Sequence, residues 1–108
     1  MRAKNEKVNF HGLHTAMFPA MFVADDVCRA QLGYEMIVTS ARDGHHSNTS
    51  RHYAGLAWDM RTWTTQDSGI QIGNLKKMNL VHTLQEALPD FFVLGEKDHI
   101  HISYKPKR

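Results

Sequence analysis

In Gly55-Leu56-Ala57-Trp58-Asp59-Met60-Arg61 the bulky apolar side chains alternate with smaller or charged ones. Successive side chains of a strand point to opposite faces. Leu56, Trp58 and Met60 are therefore expected on one face, and Ala57, Asp59 and Arg61 on the other. A carboxylate is thus fixed on the face opposite a large apolar set. A second run, Asp98-His99-Ile100-His101-Ile102-Ser103, has the same period. There His99 and His101 share one face while Ile100 and Ile102 share the other. Two such runs, each with one apolar face, imply a sheet that is covered on one side.

Working outward, helices should supply that cover. Apolar residues recur at three-to-four spacing from about Leu13 to Leu32, through Met17, Met21, Val27 and Ala30 with Phe18, Phe22 and Ala24. This argues an amphipathic helix. Pro19 fits in its first turn, where a missing N–H costs nothing, and Gly33 is a plausible stop. A second helix is expected from about Asn74 to Leu88, with Leu75, Met78, Leu80, Val81, Leu84 and Leu88 facing the core and Pro89 ending it. Glu35 to Thr39 reads as a short strand. Phe91 to Leu94 and His99 to Tyr104 read as two more, forming a hairpin across Gly95-Glu96-Lys97-Asp98. The sum is α+β: one small domain over residues 1–108, with a mainly antiparallel sheet and helices on one face.

Composition agrees with a folded domain: of 108 residues 42% are hydrophobic and 22% charged, with three Pro and seven Gly. The formal net charge of +2 comes from scattered basic residues. A nucleic-acid groove would want them clustered among aromatics, so nucleic acid is not an expected partner. Cys28, the single cysteine, excludes an internal disulfide and any multi-cysteine zinc site, and reads as a small buried hydrophobe. The first residues are charged with no apolar stretch behind them, and no segment reaches the length of a membrane span. The expectation is synthesis in the cytoplasm without a signal peptide, no membrane partner, and a monomer.

Five of the eight histidines fall in two short segments, His45, His46 and His52, then His99 and His101. Ser40 to Arg51 is a long polar loop, and long loops on small domains tend to carry function. Read alone, each half of the pattern also has an ordinary reading. His99 and His101 are a solvated strand face by that reading, and Asp59 is an ion-pair partner of Arg61. Joined, they offer imidazole and carboxylate groups for one ion.

Ser50, His52, Gly55, Ala57 and Asp59 match the Ser-x-His-x-x-Gly-x-Ala-x-Asp pattern of the zinc D-Ala-D-Ala carboxypeptidases and their relatives, which include phage L-alanyl-D-glutamate endolysins and the Hedgehog signalling domain. Asp98-x-x-His101 resembles the family's downstream pair of catalytic acid and ligand. The resemblance runs from the first helix to Tyr104 and implies a Hedgehog-like peptidase fold. It implies that His52, Asp59 and His101 hold Zn²⁺ with a fourth position left for water, an arrangement typical of catalytic zinc. It further implies Asp98 as general base, His99 beside the metal, and Arg42, with Ser50 and His46, on the substrate. The activity implied is hydrolysis of stem-peptide bonds of peptidoglycan, of D-Ala-D-Ala carboxypeptidase or L-Ala-D-Glu endopeptidase type, at the cell wall. Asp43-Gly44-His45-His46-Ser47 looks closer to Hedgehog, so the alternative is a zinc-containing binding module without catalysis. Asp98 also has the wrong strand parity to share a face with His101. The strand is therefore expected to begin after it or to bulge there.

Overall fold

The computed structural model describes residues 1–41, 55–62 and 72–105. Its elements are β1 (Arg2–Ala3), α1 (Met17–Leu32), β2 (Ile37–Ser40), β3 (Ala57–Arg61), α2 (Asn74–Ala87), β4 (Phe91–Gly95) and β5 (His99–Tyr104). The strands form one mixed sheet in the order β1-β2-β3-β5-β4. Only β1 and β2 run parallel; the other three pairs are antiparallel. The α+β class and a mainly antiparallel sheet follow as expected.

The two-residue period holds. Trp58, Met60, Ile100 and Ile102 are fully buried or nearly so, and join Met17, Met21, Ala24 and Cys28 of α1 and Leu80 and Leu84 of α2 in one core. Both helices therefore lie on the same sheet face. Trp58 also packs edge-on against Phe91, with ring centroids 6.1 Å apart. Burial pushes the Cys28 thiol up to about 12, so it behaves as an apolar side chain at neutral pH. No helix of the described residues is long and apolar enough to cross a membrane.

Three expectations need correction. The first helix begins at Met17 rather than Leu13. Gly12 takes φ +79°, and the His14 ring Nδ1 accepts the Ala16 N–H at 3.1 Å, so the chain turns before it coils. The buried stripe of α1 is Met17, Ala20, Met21, Ala24, Asp25 and Cys28, which leaves Phe18 and Phe22 on the outer side. In α2, Leu75 and Met78 do not face the core; they are 73% and 66% exposed. Nine residues separate Leu75 from Leu84, and at about 100° per residue that is half a turn, so the two cannot share a stripe.

The expected hairpin between β4 and β5 is present, closed by the Glu96 N–H donating to the His99 carbonyl at 2.8 Å. Gly33 stops α1 with φ +81°, the left-handed conformation that glycine reaches without strain. Asp25, buried on α1, ties helix to sheet. Its Oδ1 accepts the Met36 N–H at 2.9 Å and its Oδ2 accepts from Arg29 at 3.0 Å.

Candidate metal and catalytic site

The sheet face turned away from the helices carries Asp59, His99 and His101. β3 and β5 pair so that Asp59 lies opposite His101, Arg61 opposite His99 and Ala57 opposite Ser103. Because the register is regular, the carboxylate and the two imidazoles arrive on one face without further adjustment. Asp59 Oδ1 lies 2.9 Å from His101 Nδ1 and 4.0 Å from His99 Nε2. His99 Nδ1 in turn lies 2.7 Å from Asp98 Oδ1. Side-chain exposure rises along the row, from 14% at Asp59 through 26% at His101 and 33% at His99 to 65% at Asp98. The inner pair is thus shielded, and the outer carboxylate faces solvent.

Asp98 resolves its parity conflict in one of the two ways open to it. β5 starts at His99, and Asp98 sits in the preceding bend, where strand parity no longer directs its side chain. The hydrogen bond with His99 holds the Asp98 carboxyl below the usual carboxylate range. It is ionised at neutral pH.

A cleft of roughly 250 Å³ opens over this face, lined by Lys4, Thr39, Ser40 and Arg61 together with Asp59, Asp98 and His99. Reading the sequence alone misses Lys4, Thr39 and Ser40. The register between β2 and β3 shifts between Val38 and Ser40, so Val38 pairs with Met60 while Ser40 pairs with Asp59. That bulge sets Ser40 opposite Asp59 at the cleft, and nothing in the side-chain pattern announces it. Lys4 arrives through the parallel pairing of β1, whose neighbouring Lys4 N–H donates to the Val38 carbonyl at 2.9 Å.

Two motif positions gain a physical reason. Gly55 has φ +72°, and a Cβ there would collide with the Gly12 carbonyl oxygen, so both conformation and space demand glycine. Ala57 is fully buried opposite Ser103, a packed position that favours a small side chain. His14, a residue outside both motifs, packs here too. Its N–H donates to the Gly55 carbonyl at 2.9 Å, and its ring stacks on Tyr104 at 6.3 Å.

Of the expected site residues, Asp59, Asp98, His99 and His101 come together. Arg42, His46, Ser50 and His52 lie outside the described residues. Among the described residues no group of three or more His, Cys, Asp or Glu is arranged to hold a metal ion. Asp59 Oδ1 and His101 Nδ1 meet at 2.9 Å, the distance of a hydrogen bond; a zinc held between them would take the place of the shared proton and set the two donors about 3.3 Å apart. The donor set, one carboxylate and one imidazole, suits zinc. Comparison of the chain with protein-family models, with curated proteins and with solved structures finds no match in any of the three.

Proposed function

We propose that this chain is a zinc peptidase that hydrolyses stem-peptide bonds of peptidoglycan at the cell wall. The observation that carries the reading is the convergence of Asp59 and His101 at 2.9 Å beside the Asp98–His99 pair at 2.7 Å. Asp59, one donor for a metal, and Asp98, a carboxylate placed to move a proton, then border one cleft, with His101 bonded to Asp59. The resemblance of residues 50–59 and 98–101 to the zinc carboxypeptidases and endolysins supports the same assignment.

In this reading His52, Asp59 and His101 hold the metal. When bound, zinc supplies a water made acidic near neutral pH and polarises the scissile carbonyl. Asp98, ionised and 65% exposed at the cleft, takes the proton of the attacking water and passes it to the leaving amine. His99 bridges between Asp98 and the inner pair, its Nδ1–H donating to the Asp98 carboxylate, which orients the base. Lys4 and Arg61 bring two cations to the same cleft, a match in charge for the free carboxylates of a stem peptide. Arg42, His46 and Ser50 complete the proposed substrate contacts.

The test is the zinc content of the purified chain together with release of new amino groups from peptidoglycan, with Asp98→Ala as control. About one zinc per chain and cleavage that disappears in Asp98→Ala are expected. Zinc without cleavage on walls of several chemotypes would replace the enzyme by a zinc-containing binding module. Loss of zinc in Asp98→Ala would make Asp98 a ligand instead of the base.

A further inference from the structure

α2 begins against its own electrostatics. A helix N-terminus carries partial positive charge and favours acids, yet the first turn of α2 contains no acid and two consecutive lysines, Lys76 and Lys77. Lys77 has a compensating contact. Its Nζ donates to the Glu96 carbonyl at 2.9 Å and reaches the Lys97 carbonyl at 3.5 Å. Those two carbonyls belong to the β4–β5 turn, and they are the two residues directly before Asp98.

The Asp98 side chain itself is tied to His99 at 2.7 Å, and the backbone of the turn before it is held by few contacts among the described residues. One backbone bond, Glu96 N–H to His99 O, closes it, and Asp98 lies past the last regular pairing of β5. Gly95, where β4 ends, sits close under α2, since a Cβ there would come within 3.3 Å of Val81 Cγ2. The helix therefore both crowds the start of the turn and grips its carbonyls.

We infer that Lys77 is a positioning residue: by fixing the Glu96–Lys97 carbonyls it sets where the Asp98 carboxylate stands in the cleft. This rests on the peptidase reading, in which Asp98 must lie within hydrogen-bond reach of the attacking water. A displacement of about 1 Å in such a group is enough to slow chemistry on the order of a hundredfold, although Lys77 itself touches neither substrate nor metal ligands.

The experiment compares Lys77→Met, which keeps the stem and removes the donors, with Lys77→Arg, which keeps donors. For each, kcat and KM on a stem peptide, zinc content, and amide hydrogen exchange are measured. For Lys77→Met the expected result is a kcat lowered about 10- to 100-fold with KM within about twofold. Zinc is retained, and exchange quickens about tenfold at Glu96, whose N–H closes the turn, but not at Ile100 to Ile102. Lys77→Arg recovers most of kcat. An unchanged kcat in Lys77→Met overturns the inference, as does a loss spread over zinc binding and core exchange alike, which marks a merely structural lysine. A wild-type chain with no hydrolysis sinks the peptidase reading and this inference with it, whereas an active wild type with an indifferent Lys77→Met sinks the inference alone.

Discussion

The Asp98 carboxyl is held low by a neighbour one residue away, and that dependence has a sign. The His99 hydrogen bond lowers the Asp98 carboxyl, so a reaction that needs the carboxylate keeps its base down to a pH below the ordinary carboxylate range. In His99→Ala the carboxyl returns upward, and the acid limb of kcat/KM moves to higher pH. A pH profile taken with saturating zinc checks this, and an acid limb that stays in place would show that Asp98 is not the base. Gly55 makes a different demand, since its φ of +72° and its approach to Gly12 leave no space for a methyl group. Gly55→Ala is expected to destabilise the chain by about 1–3 kcal/mol, read as a lower urea midpoint. It would also disturb the His14 N–H bond to Gly55 that docks the segment before α1 on the sheet. Such a glycine is legible in the sequence only as a motif letter; its cause is a backbone contact 43 residues away in the chain, between Gly12 and Gly55.

Elements were legible to the extent that one side-chain period governs them. In β3 and β5 the period of two separates Asp59, His99 and His101 from Trp58, Met60, Ile100 and Ile102, and the burial follows it. In α2 the apolar residues span too wide an arc for one stripe, and only Leu80 and Leu84 are buried. Leu84→Ala should therefore cost about 2–5 kcal/mol, whereas Leu75→Gln or Met78→Gln should stay within about 0.5 kcal/mol. Urea denaturation of the three variants separates them, and equal losses would contradict the outward orientation of Leu75 and Met78. β1 was not legible at all. It has two residues and no apolar pattern, and is held by main-chain bonds such as Arg2 N–H to Met36 O at 3.0 Å. Main-chain pairing leaves no mark on composition, which is why Lys4 and Ser40 entered the cleft unannounced.

For the molecule as a whole, Asp25 couples the helix layer to the sheet through a charge. Burial raises its carboxyl, but the Met36 N–H, the Met1 amine and Arg29 together outweigh that and hold it below its ordinary range. A carboxyl lowered by folding adds stability that is present above its unfolded pKa of about 3.9 and is lost as pH falls through the lower folded value. Asp25→Asn should thus be clearly less stable than wild type near pH 6, with the gap closing toward pH 3. Denaturant midpoints at the two pH values measure it, and a gap that does not change with pH would remove Asp25 from the acid response. The sheet order also bears on time. β4 and β5 are joined by a short turn, but Asp59 meets His101 across 42 residues of chain. Local hairpins close in microseconds, while distant strands must wait for a long loop to shut. A refolding chain therefore has its histidines ready before the carboxylate that faces them, and under the proposed zinc reading it completes the metal-holding pair only at the end. In stopped-flow refolding with a zinc-reporting dye, the ion should leave solution in the slowest phase, so that metal uptake itself keeps the clock of the final docking step.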